Sequence, residues 1–178
     1  MPLNEEQIQC RGILQLRSFS DSCFASRCVH GAAFAQQPGQ PRVATKLADA
    51  KFATLPNVPD CLTVAVEHGD PGKGPSSVLV KLEPGCDSRT HWHSADASVL
   101  VVGGALEMEM QGEKTASTKR GDLFFLPAHH IHREICGGNA PCLFYAELYA
   151  PFDVHYVDAA GKDIPEAEAL RGAKKSAP

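Results

Sequence analysis

Three histidines have the spacing of a metal site. His91 and His93 are separated only by Trp92, and His132 follows about forty residues later. Side chains two positions apart on a β-strand point to the same face, so a strand here directs both imidazoles into one pocket and Trp92 away from it. A third imidazole from a neighbouring strand completes a face of three nitrogen ligands. Neutral imidazoles bind zinc, iron, copper or nickel, and three protein ligands leave coordination positions open for water or substrate.

The alternative is that each histidine is only a hydrogen-bonded polar residue, and for a single histidine that interpretation would be preferred. Here the three histidines recur at strand-compatible spacing among Gly and Pro residues, which favours the metal site. His129 and His130, just before the third candidate ligand, are expected to be exposed loop residues.

Two glutamates are candidates for acid–base chemistry beside this site. If His132 points inward on a regular strand, Glu134 and Cys136 share its face. Glu147 is the corresponding candidate on the following strand. A buried carboxylate must be paired or bound to a cation, so either glutamate is expected to orient a ligand or to accept a substrate proton. The alternative is a glutamate that pairs with a nearby arginine or faces water.

The elements that position these residues are short strands. Apolar runs separated by Gly, Pro and Asp begin at Cys61 and recur about every ten residues, a pattern typical of an all-β sandwich or closed barrel. Helical patterns are limited to two short segments, 47–52 and 166–171. The predicted strands are 62–67, 77–82, 91–93, 98–102, 105–111, 123–126, 132–136 and 143–149.

The first histidine segment resembles a motif of the cupin family. That motif reads Gly, five residues, His-x-His, three or four residues, Glu, six residues, Gly. The chain has Gly85, His91-Trp92-His93 and Gly104 at these spacings, with Ala97 in place of the Glu.

The second segment resembles the other cupin motif, which reads Gly, five residues, Pro-x-Gly, two residues, His, three residues, Asn. The chain has Gly121, Pro127-Ala128-His129, His132 and Cys136 at these spacings. The resemblance covers roughly 60–158 and implies a single cupin barrel of jelly-roll type with six to eight strands and a metal near one mouth.

Ala97 is the main departure from the family, because the motif's Glu is usually a fourth ligand. Asp96 and Ser98 flank this position, but a shift of one residue turns a side chain to the opposite face. We therefore expect three histidines to hold one divalent ion, iron or zinc first and nickel, manganese or copper as alternatives. Three-histidine cupins include iron dioxygenases, so the resemblance implies a dioxygenase acting on a small oxygenated or enolisable molecule. The alternatives are a ligand-binding or sensing module with a structural metal, and a zinc-dependent isomerase or hydrolase.

Composition argues against other kinds of partner. The 178 residues carry a formal charge of −4 without a basic stripe, which argues against nucleic acid. No segment has the length of a transmembrane helix, so no membrane span is predicted. A small-molecule ligand or substrate is expected, together with the homodimer that is common among cupins.

The chain divides by composition into a leader (1–42), the barrel domain (43–160) and a small polar tail (161–178). Ala33-Phe34-Ala35 resembles a signal-peptidase site, although charged residues such as Arg17 interrupt the apolar run that should precede it. A periplasmic or secreted location is favoured over a cytoplasmic one.

Seven cysteines form no zinc-finger spacing. Cys136 and Cys142 flank a five-residue turn, where a disulfide and two buried thiols are both open. A Cys136 thiol could also lie near the metal, with core packing as the alternative. Cys61 and Cys86 have no evident partner.

Overall fold

Two antiparallel sheets make up the fold in the computed structural model, which describes Ala44 and residues 46–172. The strands, in chain order, are β1 (Leu62–Gly69), β2 (Ser76–Leu82), β3 (His91–Trp92), β4 (Ala97–Gly103), β5 (Ala105–Met110), β6 (Ala116–Thr118), β7 (Leu123–Leu126), β8 (His132–Gly137), β9 (Cys142–Leu148) and β10 (His155–Tyr156). One sheet has the order β1-β2-β9-β4-β7 and the other β10-β3-β8-β5-β6. The predicted leader, with its candidate cleavage site, and the last six residues of the tail lie outside the described residues.

The prediction of an all-β jelly-roll barrel is confirmed. The described residues form ten strands where the resemblance implied six to eight, because β6 and β10 are short strands that the apolar pattern did not reveal. Helical structure is confined to a 3-10 helix at Leu47–Asp49 and to α1 at Glu166–Ala169. None of the helices in the described part of the chain has the length and apolar character that crossing a bilayer requires.

The core lies between the sheets and follows the alternation of each strand. On β4, Ala97, Val99 and Val101 are buried, whereas Leu100 between them is exposed. Burying one such valine contributes roughly 1.5–3 kcal/mol to folding, so a register shift of one residue would be costly. The inward residues of β9 are Cys142, Phe144, Ala146 and Leu148.

Two disulfides lie next to each other in one region of this core. Cys136 and Cys142 are bonded across the turn between β8 and β9, so the disulfide, rather than a pair of thiols, is the form in the structure. Because its sulfur is bonded to Cys142, Cys136 is not a thiol beside the metal site. Cys61 and Cys86, for which the sequence shows no evident partner, are also bonded to each other. β1 pairs with β2 in an antiparallel register that brings Leu62 opposite Leu82, and this places the two cysteines near each other although 25 residues separate them.

Candidate metal centre

The three predicted ligands come together on the second sheet. His91 lies on β3 directly opposite His132, the first residue of β8. His93 follows the end of β3 and still turns into the same pocket. The ligand atoms of the three side chains all lie within 4.8 Å of one another, and the Nε2 atoms of His91 and His93 are 3.1 Å apart. Such spacing suits three nitrogens that share one ion.

Each imidazole is oriented by a backbone carbonyl. The acceptors are the carbonyl oxygens of Arg89, Asp153 and His130, at 2.7, 2.5 and 2.8 Å from the Nδ1 atoms of His91, His93 and His132 respectively. A carbonyl only accepts hydrogen bonds, so each Nδ1 carries the proton and each Nε2 keeps its lone pair. This is the hydrogen-bonding pattern that orients metal-binding histidines.

The imidazoles of His91 and His93 are neutral in the folded protein at neutral pH. Burial lowers the pKa of His91 to about 3, and the nearby His132 adds to the effect. Burial also lowers the pKa of His93 to about 3, with His91 and His132 contributing further. At neutral pH the Nε2 atoms of His91 and His93 therefore offer lone pairs to a metal ion.

The described residues fit a divalent cation. His132 is only 1% exposed, and its Nε2 atom has no hydrogen-bond partner among them. A carboxylate oxygen of Glu134 lies 3.5 Å from this Nε2 atom. An unpaired buried nitrogen and a facing carboxylate are costly unless a cation or a proton lies between them. A three-imidazole donor set suits zinc, iron, copper or nickel.

Glu134 is held in place by Ser88. The Ser88 hydroxyl lies 2.5 Å from one Glu134 carboxylate oxygen, to which it donates, and it accepts a hydrogen bond from the Glu134 amide at 2.8 Å. Both residues are buried. Arg89 and Arg133 pair with Asp87 instead, and within the described chain neither forms an ion pair with Glu134.

A cavity of about 520 Å³ leads to these groups. His91, His93, Ser88 and Glu134 contribute to its wall, whereas most of the other lining side chains are apolar. The Phe152 ring lies 5.0 Å from the ring of His93 at the same end. A molecule in the cavity would therefore meet the candidate metal centre at one end and hydrocarbon elsewhere.

Comparison with known proteins agrees with this arrangement. Residues 78–148 match the family profile of the cupin domain. This chain carries a cupin domain. The cupin motifs contain all three histidines. A search of curated protein sequences found no match.

Solved cupin-fold structures show the same architecture at low sequence identity. The polyketide cyclase RemF from Streptomyces resistomycificus is 17% identical, with a TM-score of 0.57 over 73% of this chain and 99% of its own. A cupin-2 domain protein from Rhodospirillum rubrum is 15% identical, with a TM-score of 0.55 over 70% and 87%. A sugar phosphate isomerase of the cupin superfamily from Silicibacter pomeroyi is 22% identical, with a TM-score of 0.53 over 67% and 89%. At these identities the likeness establishes the fold alone.

The position of the missing cupin carboxylate is inside the cavity. Ala97 is 4% exposed and belongs to the lining. Its neighbours are engaged elsewhere: Asp96 accepts a hydrogen bond from the Ala128 amide at 2.7 Å, and the Ser98 hydroxyl lies 2.8 Å from the Tyr149 hydroxyl. Neither neighbour replaces the carboxylate, as the strand alternation predicted.

The structure does not bring Glu147 to the site. Its side chain is exposed on β9, while Ala146 and Leu148 on either side face the core. The inward orientation assumed for Glu147 is therefore wrong, because the apolar alternation of β9 has the opposite phase. Of the two glutamates, only Glu134 lies near the histidines.

In the turn before His132, a histidine with a left-handed backbone stands where the cupin motif has a glycine. His129 has φ 61°, the left-handed conformation that glycine favours, and its amide donates to the His93 carbonyl at 2.7 Å. His129 is exposed and packs against Trp92, which faces away from the pocket. His130 is half-buried and outside the ligand group, contributing its carbonyl instead.

Some residues of this site were missed in the sequence analysis. Ser88 positions Glu134, the Asp153 carbonyl orients His93, and the buried Tyr156 ring packs near His91. Burial raises the pKa of Tyr156, and its hydroxyl donates to the Asn57 carbonyl at 2.9 Å. These contacts depend on strand pairing and loop conformation, which no local sequence pattern reveals.

Proposed function

We propose that this protein is a metal-dependent cupin enzyme of the dioxygenase type, acting on a small oxygenated or enolisable molecule. The observation that carries the proposal is Glu134, a buried carboxylate that faces both the three histidines and the cavity. A binding module with a structural metal needs no such group, whereas an enzyme that deprotonates its substrate does.

The chain's own residues have distinct roles in this proposal. His91, His93 and His132 would hold one divalent ion, with iron first and zinc next. When bound, the ion would supply Lewis acidity toward a substrate oxygen and, if it is iron, redox chemistry with O₂.

Glu134 would accept a proton from the enolisable carbon or hydroxyl of the substrate. Its Oε2 atom accepts a hydrogen bond from Ser88, so the Oε1 atom, which faces His132, is the one available for the proton. The apolar walls of the cavity would exclude water from the reaction.

The test combines elemental analysis of the purified protein with O₂ uptake under ferrous iron, using a panel of diketones, thiols and hydroxylated aromatics. Nearly one iron per chain with substrate-dependent uptake is the expected result. Glu134→Gln should retain the metal and lose most of the uptake, and Glu147→Gln is the matched control with normal uptake.

Other outcomes would identify another function. Zinc with no O₂ uptake, but with Glu134-dependent exchange of a substrate proton for deuterium, would replace oxygenation with isomerisation. Metal binding with neither activity would leave a ligand-binding module and overturn the proposed enzyme.

A further inference from the structure

The cavity is lined mainly by apolar side chains. It has a volume of about 520 Å³, within the range of roughly 300–1,000 Å³ that is typical of small-molecule sites. The inner faces of β1, β2, β4, β7 and β9 supply a large part of its wall. Representative lining residues are Leu62, Val80, Val99, Leu126, Phe144 and Leu148.

Most of the polar side chains on the cavity wall form one cluster. It consists of His91, His93, Ser88 and Glu134, and Ser88 and Glu134 are hydrogen-bonded to each other. The other polar lining side chains are Lys51, Asn57 and Tyr156. Among the described lining residues, Lys51 is the only one with a cationic side chain, and it is exposed. No arginine of the described chain lines the cavity to receive a phosphate or carboxylate group.

Ala97 belongs to the apolar wall of the cavity. It lies opposite Leu126 and Leu148 on the neighbouring strands. A longer polar side chain at this position would reach into the cavity, whereas alanine leaves room for an apolar part of a ligand.

We infer that the ligand of this cavity is an uncharged, mostly hydrocarbon molecule with a single oxygenated end. This inference rests on the proposed function only in directing the oxygenated end toward the metal. A phosphorylated or carboxylated tail would lose its hydration, and the exposed Lys51 is the one cationic side chain of the described cavity wall that it could meet. An alkyl or aromatic tail would instead gain from every methylene removed from water.

The test is calorimetric titration of the metal-loaded protein with para-cresol, para-propylphenol and para-pentylphenol. Each added methylene should tighten binding roughly fourfold while the tail still fits. Para-hydroxyphenyl phosphate and para-hydroxybenzoate carry a charged group in place of the alkyl tail and should bind at least tenfold more weakly than para-propylphenol. Equal or tighter binding of the charged probes, or no gain along the alkyl series, would overturn the inference.

A matched pair of variants tests whether the probes enter this cavity. Ala146 faces the cavity from β9, and Glu147 beside it is exposed. Ala146→Leu should weaken para-pentylphenol binding more than tenfold and para-cresol binding much less, while Glu147→Leu should leave both unchanged. If folded Ala146→Leu binds para-pentylphenol normally, the probe occupies another surface and the inference fails. If this variant does not fold, the alkyl series on the unmodified protein still tests whether the ligand is mostly hydrocarbon.

Repeating the titrations with metal-free protein separates this inference from the proposed function. The gain per methylene should persist without metal, because it arises from the apolar walls. Stoichiometric metal together with a preference for charged probes would overturn the ligand class and leave the proposed function standing. Tighter binding along the alkyl series in a protein that binds no metal would support the ligand class and overturn the proposed function.

Discussion

β8 and β9 are joined by one turn, and each carries a glutamate within an alternating strand, yet the two side chains have opposite surroundings. Glu134 is 6% exposed and lies 3.5 Å from the Nε2 atom of His132. Glu147 is exposed on the outer face of its sheet. β8 therefore turns His132 and Glu134 inward, whereas β9 turns Glu147 outward.

The difference shows that the inward polar residues of β8 have polar neighbours, whereas the inward positions of β9 are apolar. On β8, His132 and Glu134 face each other and the other histidines, with Ser88 holding the carboxylate. On β9, Phe144 and Ala146 occupy the inward positions, because burying apolar groups favours that phase.

The largest expected effect concerns the inward end of β8. His132→Ala should abolish stoichiometric metal binding, because it removes one of three nitrogens and the remaining pair holds an ion weakly. Tyr145→Ala, on the outward face of β9, is the control and should bind metal normally. Metal content by mass spectrometry of both variants checks this, and full occupancy in His132→Ala would exclude it as a ligand.

The two glutamates themselves provide the next comparison. Once a substrate is known, Glu134→Gln should lower kcat by about 10²–10⁴-fold, the usual contribution of a general base, with metal content retained. Glu147→Gln should have no effect on kcat. An equal decrease in kcat in the two variants would contradict the assignment of Glu134 alone to the site.

Acid should destabilise the metal-free protein through the inward histidines. The pKa values of His91 and His93 are about 3 in the folded chain, below the ordinary value of about 6.5 expected after unfolding. The unfolded state therefore binds more protons between these values, and stability falls as the pH decreases through this window. Well below pH 6.5, each histidine should lower the free energy of unfolding by about 1.4 kcal/mol for each unit by which the pH falls.

Urea titrations of metal-free protein across this window measure the effect. A His91→Gln variant should show a shallower pH dependence than the unmodified protein. An unchanged slope in that variant would show that His91 does not titrate as described.

The disulfide between Cys136 and Cys142 fixes where β8 ends relative to the start of β9. Replacing both cysteines with serine should lower the free energy of unfolding by about 2 kcal/mol, toward the lower end of the usual range because the loop is short. Chemical denaturation compares the variant with the unmodified protein. Metal binding should survive, and its loss would show that the turn also positions His132.

The smallest effect is expected when the carboxylate of the cupin motif is restored at position 97. Ala97 faces the cavity, so Ala97→Glu should slow metal loss to a chelator, on the order of tenfold, as the added ligand strengthens the site. The exposed position 147 offers the control Glu147→Ala, which should not change the rate. Unchanged loss in Ala97→Glu would mean that a side chain at position 97 does not reach the ion.

The sequence predicted the inward side chains correctly where the residue types and the strand alternation agree on which face is buried. Strand alternation correctly placed His91, His93 and Glu134 on the inner face, and the motif spacing identified the fold. The same reasoning failed for Glu147, since no ligand on β9 establishes which face is inward. The alternation of Phe144, Ala146 and Leu148 carried that information.

Non-local contacts account for the other differences. The Cys61–Cys86 disulfide depends on how β1 pairs with β2, and the Asp153 carbonyl reaches His93 from a loop 60 residues away along the chain. The short strands β6 and β10 are stabilised by pairing with their neighbours rather than by their own composition. Tertiary structure decides such features, so they are absent from local patterns.

The most direct test of the metal centre is calorimetric titration of the metal-free protein with zinc and, under anaerobic conditions, with ferrous iron at neutral pH. We expect one ion of either metal to bind per chain, and no binding in a variant that lacks His91, His93 and His132 together. Failure of the unmodified, folded protein to bind either ion, or the same stoichiometry in the triple variant, would contradict the account.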